Sequence, residues 1–534
     1  MWKKIIILSL CCFFAFEILA ENKANDFYQK EFVASISSGI PNLHPHAAYN
    51  ADEAQILTGL YEGLCVYDPY TLEPLPGLAK DWHVSADGLV WTFTLRDDIV
   101  FENGDSITAD TFRDSFINLL DPTLNLPYAS LLDCVKGVQD YRSGKNMEHD
   151  SIGIIVKSDR VLEITLIHAA EHFANILCHH AFSAVHPSQL KAVSQFAHVN
   201  YFDGPDTAFH PISSGPFKIK SFTHNTLQLD KNNYYWDKDA VILPSISLLF
   251  GEKPDELAEA FNAGNIHWLS SNVNLKLIAA THTIRITPMF ATEFFYFKLD
   301  IPPFDNDAFR EALLLAINYD LLKKDYLIPA KTLIFPLADY PQIDTNTAYD
   351  IQKAKKLLEK IAISDLSPVR ICLPQGTYYA EQARILKEAW EQLSLTVEVD
   401  FLPFSEYYTA VKKNEYHVGV VSWIADFADP LAFLELFRPD SSLNHTGWKN
   451  GDYEKIITDA SSERDRKKRL HTLSKAEQFL LDNRIIIPLA HIPAINIIDL
   501  NEVSGWYINA VNIHPFKFIQ FIQPQSLPNI VRVP

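Results

Sequence analysis

The chain has 534 residues, 48% of them hydrophobic and 21% charged, and at roughly 100–200 residues per domain this length predicts about three domains rather than one core. Lys and Arg number 46 against 66 Asp and Glu, a formal charge of −20 that repels phosphate backbones and argues against a nucleic-acid partner. With 18 Gly and 30 Pro the chain is neither collagenous nor low-complexity, and 12% aromatic residues suffice for several packed cores.

Residues 1–20 read as a signal peptide: Trp2, Lys3 and Lys4 form a basic start, an apolar run extends from Ile5 to Phe16, and Ala20 is a small residue for cleavage. A run of about twelve residues falls short of the roughly twenty needed to span a bilayer. Cys11 and Cys12 raise lipoprotein anchoring as a minority alternative, against which Leu10 is too large for a good lipobox. Cys65, Cys134, Cys178 and Cys372 are spaced too widely for a CxxC motif. One or two bridges in an oxidising compartment and buried free thiols both remain open.

Farther along, Val90, Thr92 and Thr94 alternate with Trp91, Phe93 and Leu95, the period of a strand with one buried face. Thr108 is placed to cap a helix carrying Phe112, Phe116, Leu119 and Leu120. The string His168-Ala169-Ala170-Glu171-His172 matches the short H-x-x-E-H metallopeptidase pattern, in which two histidines four apart on a helix chelate zinc and the glutamate activates its water. It directly follows the alternating run Val161 to Ile167, so a strand-to-helix turn is the expectation and a zinc site the alternative. His179-His180 and His44-x-His46 are expected to be satisfied or surface histidines rather than metal ligands.

In the second half, a helix with Phe309, Ala312, Leu313, Ala316 and Ile317 is expected to be capped by Asp305 or Asp307, and another follows Asp350 with Ala354, Leu357, Leu358 and Ile361. A strand at Val369–Leu373, a helix from Glu381 to Leu393 and a strand alternating through Leu395, Val397, Val399 and Phe401 make a βαβ pattern, hence a parallel or mixed sheet. Neither a glycine-rich phosphate loop nor a G-x-S-x-G elbow occurs. The run Val418-Gly419-Val420-Val421 reads as a buried strand leading into Trp423-Ile424-Ala425-Asp426-Phe427-Ala428-Asp429-Pro430. Open α/β sheets present ligands at such strand ends, so Asp426 is a candidate binding residue, while Asp429 before Pro430 is expected to cap a helix.

Leu75-Pro76-Gly77-Leu78-Ala79-Lys80-Asp81-Trp82, Ser85-Ala86-Asp87-Gly88, Trp91-Thr92-Phe93-Thr94-Leu95-Arg96 and Asn103-Gly104-Asp105-Ser106-Ile107-Thr108-Ala109-Asp110 follow one another in the order and spacing of a family signature. Further echoes occur at Leu60-Tyr61-Glu62-Gly63-Leu64, Pro127-Tyr128-Ala129-Ser130, Ser214-Gly215-Pro216-Phe217, Pro303-Phe304-Asp305 with Arg310, and Lys475-Ala476-Glu477. The chain thus resembles the family 5 extracellular solute-binding proteins, the receptors of oligopeptide ABC importers. The resemblance implies an α/β, two-lobed periplasmic-binding-protein clamp with an additional third domain. By analogy 21–52 with 176–277 and 494–534 form the first lobe, 53–175 the additional domain and 278–493 the second lobe.

It further implies a non-enzymatic, monomeric periplasmic receptor without a cofactor, with an oligopeptide as ligand and an inner-membrane ABC permease as partner. Trp423-x-Ala425-Asp426-Phe427 is similar to a W-x-A-D-Y segment in which the aspartate receives the peptide α-ammonium group, and Tyr128 and Phe404 match aromatic cleft positions more loosely. Two departures stand out. Ser38-Gly39-Ile40-Pro41 before Leu43-His44-Pro45 lacks the acids of the family's usual start, and Val420 and Val421 stand where some members carry an arginine. Dipeptide, murein-peptide, haem and nickel-complex receptors of the same family remain alternatives, as does a zinc metallopeptidase using His168, Glu171 and His172.

Overall fold

In the computed structural model the strands, in chain order, are β1 (Phe32–Ser35), β2 (Cys65–Tyr67), β3 (Pro74–Pro76), β4 (Ala79–Val84), β5 (Val90–Leu95), β6 (Ile154–Ser158), β7 (Val161–Thr165), β8 (Phe217–Phe222), β9 (Thr226–Lys231), β10 (Ser245–Leu249), β11 (Trp268–Ser270), β12 (Ile284–Phe297), β13 (Val369–Pro374), β14 (Val397–Leu402), β15 (Val418–Ile424) and β16 (Ile486–Ile498), with two short strands following. The described residues are 30–522 except 37–40, 193–210, 271, 272, 338, 344, 346, 347, 362–367, 404, 405, 408, 409, 412–414, 426, 428 and 442. The signal peptide expected at 1–20 lies outside them.

The expected strand at Val90–Leu95 is β5, with Trp91, Phe93 and Leu95 buried as the alternation requires. It belongs to an antiparallel sheet in the order β4-β5-β7-β6. The helix Ala109–Leu120 packs beside this sheet, its first turn closed by Thr108, whose side chain accepts the Thr111 N–H.

The second sheet has ten strands in the order β14-β13-β15-β12-β16-β11-β1-β10-β9-β8. Its β13 and β14 run parallel and are joined by the helix Thr377–Glu391, the βαβ unit expected from the sequence. Trp390 of that helix is fully buried and donates its indole N–H to Leu313 O at 3.1 Å, tying the unit to the helix Asp307–Leu315. The cap of this last helix corrects the sequence expectation. Asn306, extended and just outside the helix, accepts the N–H groups of Ala308 and Phe309, whereas Asp307 is already inside the first turn and takes Arg484 Nη1 at 2.8 Å. Asp350 caps its helix as expected, accepting the Lys353 N–H.

The long strands β12 and β16 join the two halves of this sheet. Ile284–Pro288 pairs with Pro493–Ile497 near β11, and Thr292–Tyr296 pairs with Ile486–His491 beside β15. Between these stretches, from Pro288 to Thr292, the register shifts. Proline cannot donate to a ladder, and Pro288 faces Pro493 at this break.

Cys65, Cys134, Cys178 and Cys372 are free thiols. Burial pushes Cys65 and Cys372 each up to about 12 and raises the other two as well.

Candidate functional site

A cavity of about 790 Å³ opens where the β12–β16 ladder breaks, lined there by Met289 and by Ile492 to Ile495. Ser422, Trp423, Ile424 and Ala425 from the end of β15 form another wall. Residues of the helix Ala51–Leu60, with Glu62, Tyr128, His179 and His180, complete its lining.

Trp423 and Tyr128, singled out on sequence grounds, come together here through Tyr49. Trp423 is buried, donates its indole N–H to Ala432 O at 3.0 Å, and sets its ring 6.2 Å from that of Tyr49. Tyr128 donates its hydroxyl to Tyr49 O at 3.2 Å and lays its ring 4.3 Å from His179. Its φ of 64° is a left-handed conformation that a side-chain-bearing residue adopts at a cost of roughly 1–2 kcal/mol. The packing of its ring against Tyr49, His179 and His180 holds that conformation. Asp426 and Phe404 lie outside the described residues. Ala425, the residue before Asp426, lines the cavity.

The charges of the lining are mostly acidic. Asp52, Glu53 and Glu62 stand against Lys517 alone among the described charged residues, while the histidines are uncharged at neutral pH. Burial takes His179 down to about 3 and holds His180 well below its usual range, with the neighbouring His179 adding to the effect. Glu53 is committed to structure, accepting the N–H groups of Asn42, Tyr49 and Asn50. Glu62 accepts the Tyr235 hydroxyl and, at 2.6 Å, the Trp236 indole N–H. Its burial raises its carboxyl, partly offset by Lys517.

The H-x-x-E-H string does not form one helical face. His168 lies in a bend after β7, and His172 precedes the single-turn helix Phe173–Ile176. The His172 ring stacks on Phe427, with centroids 6.0 Å apart, and burial takes it down to about 4. Among the described residues no group of three or more His, Cys, Asp or Glu could hold a metal ion. Asp429 accepts the Leu431 N–H, but the cap position of the helix Leu431–Leu434 is Pro430 rather than Asp429 as expected; the Asp429 carboxylate is instead committed to Arg469 at 2.5 and 2.9 Å.

Sequence reasoning gave no site role to Tyr49 or to Ile492–Ile495. An isolated tyrosine and an apolar strand carry no motif, and only the topology brings them to the cavity.

Residues 73–444 match the family described as bacterial extracellular solute-binding proteins, family 5 middle. The chain belongs to this family. It is 27% identical over 508 residues to the oligopeptide-binding protein OppA of Bacillus subtilis, covering 91% of each chain. Among solved structures, a periplasmic oligopeptide-binding protein of Borrelia burgdorferi aligns with a TM-score of 0.79 and 25% identity over 92% of this chain and 99% of that one. The murein tripeptide binding protein MppA of Escherichia coli aligns with a TM-score of 0.79 at 22% identity over 93% and 99% of the two chains. Against an unliganded open form of MppA the TM-score is 0.61, at 23% identity over 93% and 98%. The fold is therefore the multidomain clamp of the family 5 solute-binding proteins, a family of receptors. No helix among the described residues is long and apolar enough to cross a membrane.

Proposed function

We propose that the protein is the periplasmic receptor of an ABC importer, capturing extended oligopeptides between two closing lobes and handing them to an inner-membrane permease. The observation that carries this reading is the acidic, aromatic-walled cavity at the break between the two halves of the large sheet, reached by the strand that leads into Asp426. Its volume lies in the range of about 300–1,000 Å³ usual for enclosed ligand sites. A peptide offers any receptor the same main chain and one ammonium group, so general recognition calls for main-chain hydrogen bonds and one fixed carboxylate.

We assign that carboxylate to Asp426, with Trp423, Tyr128 and Phe404 as aromatic walls. The first lobe is 21–52 with 176–277 and 494–534, the additional domain 53–175, and the second lobe 278–493. The sheet arrangement supports this division: β4 to β7 lie within 53–175, β13 to β15 within 278–493, and β1 and β8 to β11 fall in the segments given to the first lobe. Cleavage after residue 20, release as a free protein and a monomeric state complete the proposal.

Removing one partner of an enclosed ion pair costs on the order of 2–5 kcal/mol. Asp426→Asn is accordingly expected to weaken peptide affinity roughly 30-fold or more in calorimetry while leaving the melting temperature nearly unchanged. Native mass spectrometry of the purified protein should show a ladder of co-purified peptide masses. Equal affinity in the Asn variant would remove Asp426 from the site, and failure of peptides to bind at all would remove the receptor function.

A further inference from the structure

Ser422 lines the cavity and is exposed to it, and directly opposite Ser422 in the β12–β15 ladder stands Glu293. Residues facing each other across a ladder direct their side chains to the same side of a sheet. Glu293 therefore lies on the cavity side, yet it is only 5% exposed. Tyr379, which itself lines the cavity, donates its hydroxyl to Glu293 Oε2 at 3.2 Å. Oε1 accepts the hydroxyls of Tyr326 and, at 3.3 Å, Tyr378.

The Gln382 amide also lends Glu293 a side-chain hydrogen bond, yet burial still raises its carboxyl, as expected of a buried acid that has neutral donors and no positive charge beside it. No cation among the described residues pairs with Glu293. Lys323, three residues before Tyr326, is committed to Ala330 O at 2.6 Å. Gln382, on the same face of the helix Thr377–Glu391 as Tyr378 and Tyr379, adds a second acceptor. It donates Nε2 to the Tyr326 hydroxyl, while its Oε1, on a residue 3% exposed, has no hydrogen-bond donor. Tyr326, Tyr378 and Gln382 also border a smaller cavity of about 300 Å³, together with Asp325 and Glu381.

The arrangement is a buried carboxylate and an amide oxygen, ringed by three phenols and without a cation. The chemistry that completes it is a group that only donates, carries positive charge and packs against aromatic faces, namely an ammonium or guanidinium. We propose that Glu293, with Tyr326, Tyr378, Tyr379 and Gln382, is a subsite for the lysine or arginine side chain of a bound peptide. Tyr379 stands between the carboxylate and the main cavity and shares Oε2 with the incoming cation or yields it. The subsite rests on the peptide-receptor function proposed above and gives it a preference among peptides.

Matched peptides of equal length, carrying lysine, norleucine or glutamate at each position in turn, test it by calorimetry. At one position lysine is expected to bind at least tenfold tighter than norleucine, with glutamate weakest. In Glu293→Gln the lysine-to-norleucine ratio at that position is expected to fall to about one. A ratio near one at every position in the wild type, or a preference that persists in the variant, would overturn the subsite while leaving the receptor function standing. If no peptide of any composition binds, both fall. Should the variant not fold, zero-length carbodiimide coupling of a bound lysine peptide to the wild-type protein gives an independent readout. Coupling at Glu293 is expected, and its absence there would overturn the proposal.

Discussion

Glu477 shows how far a single residue can be read from sequence. The triplet Lys475-Ala476-Glu477 marks the family resemblance without revealing what its glutamate does. In the structure Glu477 is fully buried and accepts the N–H groups of Leu333 and Ile334 at 2.8 and 2.9 Å and the Tyr340 hydroxyl at 2.9 Å. Those partners lie about 140 residues away, beyond any local pattern, whereas the Thr108 cap and the Thr111 N–H that it accepts are three residues apart and could be read directly. The Pro303-Phe304-Asp305 and Arg310 echo is similar: Arg310 donates to Phe304 O at 2.7 Å and to Asn483 O at 2.7 Å, a structural clasp whose second half no motif announces. Burial pushes the Glu477 carboxyl from 4.5 up to about 7 despite its three donors. Between those values the folded protein holds a proton that the unfolded chain has released, so the stability this group contributes is fully present below about pH 4.5 and is lost as pH rises through 7. For this one group the loss is on the order of 3 kcal/mol. Glu477→Gln keeps an acceptor for the two N–H groups and removes the titration. Thermal melts of the variant at pH 5 and 7.5 should therefore differ less than those of the wild type, and equal pH dependence in the two would contradict the assignment.

At the scale of elements, sequence and structure agree where a strand or helix carries its own signal and part where tertiary context decides. The run Val418–Val421 is apolar without interruption, as expected of a strand covered on both sides, and it became β15. The strands β12 and β16 escaped sequence reading although they are the longest among the described residues. Their inner stretches are buried on both faces and show no alternation, and Pro288, Pro488 and Pro493 argue locally against central strands. The ladder accommodates those prolines by shifting register beside each of them, and one of the shifts opens the cavity. Gly419 makes the β12–β15 pairing possible in a different way. It faces Tyr296 across the ladder, and a Cβ there would meet the Tyr296 hydroxyl oxygen at 2.5 Å and its ring carbons at 2.6 and 2.8 Å. Since Tyr296 is buried, Gly419→Ala forces a displacement and should destabilise the protein by about 1–3 kcal/mol, read as a lower denaturation midpoint. Adding Tyr296→Phe removes the nearest colliding atom, so the double variant should lose less than the two single changes together. Strict additivity would mean that the contact is not the cause.

The whole molecule gives the acidic charge and the length their meaning. Two half-sheets meeting at β12 and β16 and a separate four-stranded sheet account for a chain of several domains, and the cavity between the halves repeats in its lining the acidic bias of the full sequence. A ligand can draw such halves together only by as much as it binds the closed arrangement more tightly than the open one. An enclosed ammonium–carboxylate pair has that property, because it is desolvated and strengthened only when both lobes surround it. Small-angle scattering is therefore expected to give a smaller radius of gyration when a binding peptide is added to peptide-free protein. At a concentration of 100 times the dissociation constant the peptide should also stabilise the protein by about 2.7 kcal/mol. In Asp426→Asn both effects should require higher peptide concentrations in proportion to its weaker affinity. Tight peptide binding without any change in scattering would show that the cavity exists before the ligand arrives, and that the break in the β12–β16 ladder shapes a site without acting as the hinge of a clamp.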